Sequence, residues 1–327
     1  MDSFWLKLPK PFFILAPMYD VTDEAFRQMF ARYGKPDVLF TEFVSVDGLT
    51  SEKGWAKVVR ELYFQPNEHP IVAQVFGADP EKFRVAATVI ADLGFDGIDI
   101  NMGCPDRTII KQGAGSALIR KPDLAKKIIE ATKAGAKGLP VSVKTRLGYS
   151  KTDEMTDWLG AILSAKPDLL TVHVRTTKEL SKVPAHWELV PKIVKMAKEN
   201  DVPLVINGDV MTLAEAREKA EKYGLAGVMI GRGAFGNPWL FSGQTDISLK
   251  EKLAVLVEQI KLFEKLYGGT ATNKKLFGGH TKNFAVMKKH FKAYIKGWPG
   301  APALREKLMT AESSKEVGDI ISLYLKN

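Results

Sequence analysis

The chain of 327 residues contains a single cysteine, Cys104, so no disulfide can form within it. It also lacks any apolar run of 18 residues, the length that a membrane-spanning helix requires. The apolar stretch 12–16 is too short for a signal peptide and lies between Pro11 and Pro17. No internal repeat or low-complexity segment is present. We therefore predict a monomeric cytoplasmic protein with no membrane association.

Positive charge is concentrated near the C-terminal end. The net charge is +9, and residues 247–327 contain 15 Lys and Arg against 7 Asp and Glu, a surplus of 8. The preceding three quarters of the chain are therefore almost neutral. A local excess of cations indicates nucleic acid or an anionic membrane as the partner. A solvated lysine-rich surface is the alternative that charge alone leaves open.

Short β-rich runs alternate with amphipathic helical segments over the first 240 residues. The predicted strands are 12–16, 38–43, 71–76, 97–101, 140–146, 169–175, 203–207 and 227–231. The helical segments between them include 81–93, 124–136, 187–199 and 213–223. Eight such units, separated by glycine or proline, predict a (β/α)₈ TIM barrel rather than an open sheet.

Polar residues share one side of the predicted strands, and Val, Ile and Leu occupy most of the other side. The polar set is Gln74, Asp99, Asn101, Ser142, Lys144, Arg146, Thr171, His173, Arg175 and Asn207. These residues cluster toward the C-terminal ends of the strands, where the active site of a barrel opens. Burying each polar group without a partner would cost roughly 1–3 kcal/mol. A polar ligand at this end is the prediction, and a mutually satisfied polar network is the alternative.

The stretch 95–121 contains the residues best suited to catalysis. A buried strand ends in Asn101-Met-Gly-Cys-Pro105, and the loop 106–121 follows. This loop holds Arg107, Lys111, Arg120 and two glycines, a composition that predicts a mobile basic flap. A thiol at the end of a strand can act as an acid, a nucleophile or a metal ligand. The alternative is that Cys104 is a small buried hydrophobic residue.

Two loops have the composition of phosphate sites. Asn207-Gly-Asp209 follows the seventh strand, and a G-x-G-x-x-G pattern in 231–238 follows the eighth. A Rossmann interpretation fails, because that motif belongs in a first βαβ unit and no strand follows here. Loops after strands seven and eight of a barrel are a frequent phosphate site. Plain tight turns are the alternative.

After Trp239 the alternation of strands and helices stops. A linker at 243–248 precedes predicted helices 249–267, 281–295, 303–309 and 315–325, so we expect a barrel domain at 1–243 and a helical domain at 244–327. The second of these helices carries an apolar stripe that predicts bundle core: Phe284, Met287, Phe291 and Tyr294. It also carries a cationic stripe that predicts contact with a phosphate backbone: Lys282, Lys289, Lys292 and Lys296, flanked by Lys288 and His290.

Taken together, these motifs resemble the tRNA-dihydrouridine synthase family, of the bacterial FMN-dependent type, over nearly the whole chain. The matching stretches are Ala16-Pro-Met18, 21–23 with 26–27, 101–105, 113–118, 143–146, His173 with 175–176, 207–209, 231–232, 289–297 and 304–305. The sequence departs from the family pattern at Asp20 (usually glycine), at Val174 (usually a small residue) and at His186 (usually acidic).

The resemblance implies an oxidoreductase that reduces selected tRNA uridines to 5,6-dihydrouridine, with tightly bound FMN and with NADPH or NADH as reductant. Hydride would pass from the reduced flavin to C6 of the uracil, and Cys104 would donate a proton to C5. The residues implied to hold FMN are Pro17, Met18, Gln74, Lys144, His173, Asn207, Gly208, Asp209, Gly231 and Arg232. Those implied to contact the tRNA are Asn101 at the uracil edge, Arg107, Lys111, Arg175, Lys288, Lys289 and Lys292. No metal site is predicted.

Two other functions remain open on the sequence alone. An FMN barrel reductase of a small molecule, similar to dihydroorotate dehydrogenases, would explain the flavin residues but not the cationic tail. A tRNA-binding protein without catalysis would explain the tail but not the polar end of the barrel.

Overall fold

A computed structural model describes residues 3–326, and nine parallel strands form its centre. The strands are β1 (Phe12–Leu15), β2 (Leu39–Phe40), β3 (Val44–Ser45), β4 (Ile71–Phe76), β5 (Gly97–Met102), β6 (Val141–Arg146), β7 (Leu169–His173), β8 (Leu204–Asn207) and β9 (Gly227–Ile230). Their hydrogen-bonded order is β1-β9-β8-β7-β6-β5-β4-β2, and β3 also pairs with β4. A parallel bridge between Ile14 and Val38 closes the circle. The predicted (β/α)₈ barrel is thus confirmed.

The second predicted strand, 38–43, is too long, because β2 covers only Leu39–Phe40 and β3 begins at Val44, beyond the predicted range. Thr41 lies between them, and its hydroxyl accepts the backbone N–H of Gln74 at 3.2 Å and donates to the carbonyl of Glu42 at 2.8 Å. A side-chain oxygen therefore takes the place of a backbone acceptor in the ladder with β4.

Helices cover the outside of the barrel and form the C-terminal part of the chain. They are α1 (Phe4–Lys7), α2 (Glu24–Tyr33), α3 (Val46–Leu49), α4 (Glu52–Val58), α5 (Pro80–Asp92), α6 (Arg107–Lys111), α7 (Pro122–Gly135), α8 (Met155–Ser164), α9 (Val190–Glu199), α10 (Leu213–Tyr223), α11 (Leu249–Tyr267), α12 (Ala271–Phe277), α13 (Lys288–Tyr294), α14 (Ala301–Met309) and α15 (Ser314–Tyr324). None of the helices within 3–326 combines the length and the apolarity needed to span a membrane.

The barrel interior is apolar at one end and polar at the other. Trp5, on α1, packs with the apolar end, where inward-facing side chains form one cluster: Phe12, Ile14, Phe40, Val72, Leu169, Val205 and Met229. Further along the same strands, Gln74, Asp99 and Thr171 are fully buried on the same side. The polar residues that share one side of the predicted strands therefore face the interior of the barrel.

The C-terminal helices have their own apolar core, which α2 of the barrel shares. Ala25 and Met29 of α2 lie in this core with residues of α11, α13, α14 and α15. The predicted apolar stripe contributes Met287, Phe291 and Tyr294, all buried. The predicted helix 281–295 is shorter than expected, because a 3₁₀ turn at Phe284–Met287 precedes α13. Helix α12 was not predicted; Thr270 caps its start and Gly278, at a φ of +61°, ends it.

Lys282 is placed differently from the rest of the cationic stripe. Its side chain is 5% exposed and its Nζ lies 2.5 Å from Oε2 of Glu42, which is fully buried. A second carboxylate, that of Glu61, lies 3.8 Å away. Although burial disfavours its charge, Glu42 and the other neighbouring carboxylates raise the pKa of Lys282. Lys282 therefore joins the C-terminal helices to the barrel, and the expectation that it contacts phosphate is wrong.

We expect Lys282→Met to lower the free energy of unfolding by about 3–5 kcal/mol, because it leaves a buried carboxylate without its cation. Denaturant unfolding followed by circular dichroism measures this change. Lys296→Met is the matched control, since Lys296 is exposed and forms no ion pair among residues 3–326, and it should alter stability by less than about 0.5 kcal/mol. Equal stability of the two variants would contradict the structural role.

Candidate active site

A cavity of about 320 Å³ opens at the C-terminal ends of the strands. Thirteen of the eighteen site residues implied by the resemblance line this cavity, the mouth of the barrel: Pro17, Met18, Gln74, Asn101, Cys104, Lys144, His173, Arg175, Asn207, Gly208, Asp209, Gly231 and Arg232. Five others do not line it: Arg107, Lys111, Lys288, Lys289 and Lys292. The mouth also includes loop residues that strand parity could not identify, among them Phe43, Leu180, Ser181 and Met211.

A chain of hydrogen bonds crosses the floor of the mouth. The buried carboxylate of Asp99 accepts from Ser142 Oγ at 2.6 Å and from Gln74 Nε2 at 2.7 Å. Gln74 Oε1 in turn accepts from Asn101 Nδ2 at 3.0 Å. Burial raises the pKa of Asp99 to about 6, while the bonds from Ser142 and Gln74 oppose that rise. The carboxylate is therefore mainly ionised at neutral pH and acts as an acceptor.

Asn101 connects this chain to the cysteine. Its Oδ1 accepts the backbone N–H of Gly103 at 3.1 Å and that of Cys104 at 2.9 Å. The thiol is half-buried and faces the mouth, and burial raises its pKa above the ordinary value of 9.0. The thiol is thus protonated at neutral pH and can serve as a proton donor.

Cations also line the mouth, beginning with Lys144, the neighbour of Asn101 on the adjacent strand. Burial, followed by the charge of Arg146, lowers the pKa of Lys144 to about 8. Lys144 makes no hydrogen bond or ion pair within residues 3–326, although it lines the cavity. Thr171 Oγ1, also buried in this layer, likewise has no partner there. The polar network of the barrel is therefore only partly satisfied by protein groups, which favours a polar ligand.

His173 is neutral in this environment. Burial and the charges of Arg146 and Lys144 lower its pKa well below 6.5. Its Nε2 lies 3.1 Å from a guanidinium nitrogen of Arg175, which can only donate. The ring proton must therefore be on Nδ1.

Arg175, which the sequence predicted to contact RNA, lines the mouth and is held by protein groups. Its side chain is 3% exposed and forms an ion pair with Asp209. Its Nε donates to the carbonyl of Val183 at 2.7 Å, and its third nitrogen faces His173. Three of its five N–H groups thus fix the loops after β7 and β8.

Asp209 is placed between two arginines. Burial opposes its charge, but Arg175, the backbone N–H of Ala185 and Arg232 hold the pKa of this carboxyl below its usual value. Its side chain orients Arg232, whose own side chain is 57% exposed. A carboxylate repels phosphate, so the side chain of Asp209 supports a phosphate site by positioning arginines rather than by direct contact.

The loops after β8 and β9 leave donors for an anion. Within residues 3–326, the backbone N–H groups of Asp209, Arg232 and Gly233 have no acceptor. Gly208 has a φ of +141°, and a Cβ there would lie 2.9 Å from that of Ala185. Glycine is required at this point of close approach.

The basic flap is more regular than its composition predicted. Residues 107–111 form α6, whose start is capped by Asp106 Oδ1 accepting the N–H of Thr108 at 2.8 Å. The loop returns to the cysteine, because the N–H of Ser116 donates to the carbonyl of Cys104 at 3.1 Å. Arg107 and Lys111 are both exposed on α6.

The cationic residues of α13 lie beside the loop that follows β1. Lys288 is half-buried and Lys292 is exposed, while Lys289 Nζ donates to the carbonyl of Asp20 at 2.7 Å. Asp20 has a φ of +56°, a conformation that favours glycine and that explains the residue usual in the resembled family.

The structure also accommodates the other two departures from the family pattern, Val174 and His186. Val174 is fully buried in the apolar core. His186 lies 2.9 Å from both Glu179 and Glu188, which raise its pKa against the effect of burial. A histidine hydrogen-bonded to two carboxylates thus stands in place of the usual acidic residue.

Comparison with known proteins gives consistent results. The family model described as dihydrouridine synthase matches residues 14–326. A probable tRNA-dihydrouridine synthase of Staphylococcus aureus is 44% identical over 326 residues, which cover 99% of this chain and 96% of that one. The probable tRNA-dihydrouridine synthase 2 of Bacillus subtilis is 43% identical over 319 residues, covering 97% and 94%. Histamine dehydrogenase from Rhizobium sp. 4-9 is similar in fold alone, with a TM-score of 0.51 and 14% identity over 76% of this chain and 48% of that chain.

We expect Asn101→Ala to increase the rate at which iodoacetamide alkylates Cys104 by about tenfold, because two hydrogen bonds that hold the loop, each worth about 0.5–1.5 kcal/mol, are lost. Mass spectrometry gives this rate, and the label is specific because the chain has one cysteine. Asn200→Ala, which removes a side-chain bond to Met196 at the end of α9, is the control. An unchanged rate in Asn101→Ala would show that the amide does not hold the loop.

Proposed function

Because the chain belongs to the dihydrouridine synthase family, we propose that it reduces uridines of tRNA to 5,6-dihydrouridine. The observation that supports this reaction most directly is the protonated thiol of Cys104, which faces a mouth that also presents the unpaired cation of Lys144 and free backbone donors. A planar ring bound over the mouth would thus find an acid, a cation and a site for phosphate in one cavity.

The residues of the mouth fit FMN. Lys144 offers a cation without a protein partner, and reduced flavin carries a negative charge on its ring. Arg232, with the free N–H groups after β8 and β9, offers donors for a phosphate. We assign the ring to Pro17, Met18, Gln74, Lys144 and His173, and the ribityl phosphate to Asn207, Gly208, Asp209, Gly231 and Arg232.

When bound, FMN supplies the hydride that C6 of the uracil accepts, with NADPH as the source of electrons. Cys104 donates its proton to C5, so that the C5=C6 double bond gains one hydride and one proton. Asn101 keeps the thiol in place through the backbone of Cys104, and one N–H of its Nδ2 remains for a carbonyl of the uracil.

We assign the recognition of tRNA to cations outside the mouth. Arg107 and Lys111 are exposed on α6, which follows Cys104, and α13 offers the exposed Lys292 and the half-buried Lys288 beside the loop after β1. The barrel, 1–243, would carry the reaction, and 244–327 would carry much of the attraction to the phosphate backbone. The target uridine must leave its stack to enter the cavity.

The decisive experiment is to purify the protein, identify any flavin released by denaturation, and incubate the holoenzyme with NADPH and unmodified tRNA. We expect FMN, bleaching by NADPH, reoxidation by tRNA and dihydrouridine in the digested product. Reoxidation by dihydroorotate-type pyrimidines but not by tRNA would instead favour a small-molecule reductase. Absence of flavin would refute the proposal.

Cys104→Ala should lower the rate of dihydrouridine formation by roughly 10²–10⁴-fold, the contribution typical of a general acid. Its FMN content and its affinity for tRNA should not change. Ser116→Ala is the matched control, since it removes a buried hydroxyl of the same flap that has no partner among residues 3–326. Full activity of the alanine variant at 104 would mean that another group delivers the proton.

The dependence of the reaction rate on pH also tests whether Cys104 is the proton donor. Because burial raises the pKa of the thiol, the alkaline decrease in rate that is due to Cys104 should occur above pH 9.0, the ordinary value. Loss of the charge on Lys144, whose pKa is lowered to about 8, accounts for any earlier decrease near that pH. A decrease centred near pH 7 would contradict a protonated thiol as the acid.

Lys288→Glu combined with Lys292→Glu should weaken tRNA binding and reduce the slope of log K against log salt by about 2, one for each lost phosphate contact. Lys289 is left intact because it holds the carbonyl of Asp20. Lys195→Glu combined with Lys198→Glu on α9 makes the same change in charge on the outer layer of the barrel. Equal effects of the two double variants would show that only net charge matters.

A further inference from the structure

Tyr19 is an exposed aromatic residue at the edge of the mouth that the proposed reaction leaves without a role. Its side chain is 60% exposed, and it is the sole aromatic among the large hydrophobic residues exposed within 3–326. It follows Met18, which lines the cavity, in the loop after β1.

The ring of Tyr19 is supported on one face. Its centroid lies 5.4 Å from that of Phe43, at an interplanar angle of 29°. Phe43 lines the mouth and makes an edge contact with Phe76 at 5.6 Å. Because Phe43 covers one side and the residue remains mostly exposed, the second face of Tyr19 is open for another flat ring.

The backbone beside Tyr19 is also fixed. Asp20 is held at a φ of +56°, and its carbonyl accepts the Lys289 ammonium at 2.7 Å. The loop of Tyr19 therefore lines the cavity at Met18 and contacts a lysine of α13 at Asp20. An aromatic face and lysines on adjoining segments are the combination that binds unpaired nucleotides, through stacking and contacts with phosphate.

We propose that Tyr19 stacks against a base of the tRNA next to the target uridine, and so positions the strand that enters the mouth. This inference rests on the proposed function. A base flanking the target loses its stacking partner when the uridine leaves the stack, and Tyr19 supplies a replacement surface where the strand leaves the cavity. The contact does not depend on which base is present, because every base has an aromatic face.

The test uses the FMN-bound enzyme with unmodified tRNA and NADPH, and three substitutions of one residue. Tyr19→Ala removes the ring, Tyr19→Leu keeps an apolar side chain without a ring, and Tyr19→Phe keeps the ring. We expect the KM for tRNA to rise about tenfold in the alanine and leucine variants and to change by less than about twofold with phenylalanine. The kcat at saturating tRNA and the rate of flavin reduction by NADPH should remain those of the unaltered enzyme.

Leu6→Ala is the control for loss of exposed apolar surface, since Leu6 is 58% exposed on α1 at the closed end of the barrel. It should leave the KM unchanged. An unaltered KM in Tyr19→Ala would overturn the inference, as would a leucine variant that equals the unaltered enzyme. Slower flavin reduction in Tyr19→Ala would assign the ring to the nicotinamide instead. If the unaltered enzyme does not reduce tRNA, the proposed function itself fails; failure of the stacking alone leaves that activity intact.

Discussion

The arrangement of the mouth depends on the carboxylate of Asp99, which is buried below it and accepts two hydrogen bonds. An ionised carboxylate cannot donate, so the amide nitrogen of Gln74 must face it and the amide oxygen must face Asn101. Asn101 then presents its own nitrogen to Gln74 and its oxygen to the backbone of Gly103 and Cys104. One charge thus sets the orientation of two amides and, through them, the position of the thiol. Reversing either amide would place two donors together on one side of that amide and two acceptors together on its other side.

The electrostatics of the remaining mouth follow from an excess of cations over anions in a buried space. Lys144, Arg146 and Arg175 are all partly or fully buried there, and they disfavour a further positive charge on His173. The histidine is therefore neutral, and its Nε2 accepts from Arg175 instead of repelling it. Asp209 forms ion pairs with the two arginines at the edge but not with Lys144, whose pKa is lowered by burial and by the charge of Arg146. An anionic ring or phosphate is the partner that would relieve this imbalance.

The sequence predicted the barrel and most of the mouth because both depend on local regularities. Strand parity placed Gln74, Lys144 and Asn207 on one surface without knowledge of their neighbours. What it could not predict were contacts between distant segments. Lys282 pairs with Glu42, 240 positions away, so its helix position alone suggested an exposed cation. The ion pair of Arg175 was likewise not predicted, because its partner Asp209 follows a different strand. The early end of the second strand has another cause, since a threonine hydroxyl competes with the backbone only in the presence of the neighbouring strand.

The junction between the barrel and the C-terminal helices limits how tRNA can be presented to the mouth. Helix α2 contributes Ala25 and Met29 to the core of the C-terminal helices, and Lys282 joins the same two parts through buried charges. Lys289 adds a bond to Asp20, a residue in a left-handed conformation that costs of order 1–3 kcal/mol unless its surroundings hold it. A shift of α13 relative to the barrel would break these contacts together. A strand bound along α13 would therefore meet the mouth at a fixed distance, so that the choice of uridine would follow from the shape of the folded tRNA rather than from reading of its sequence.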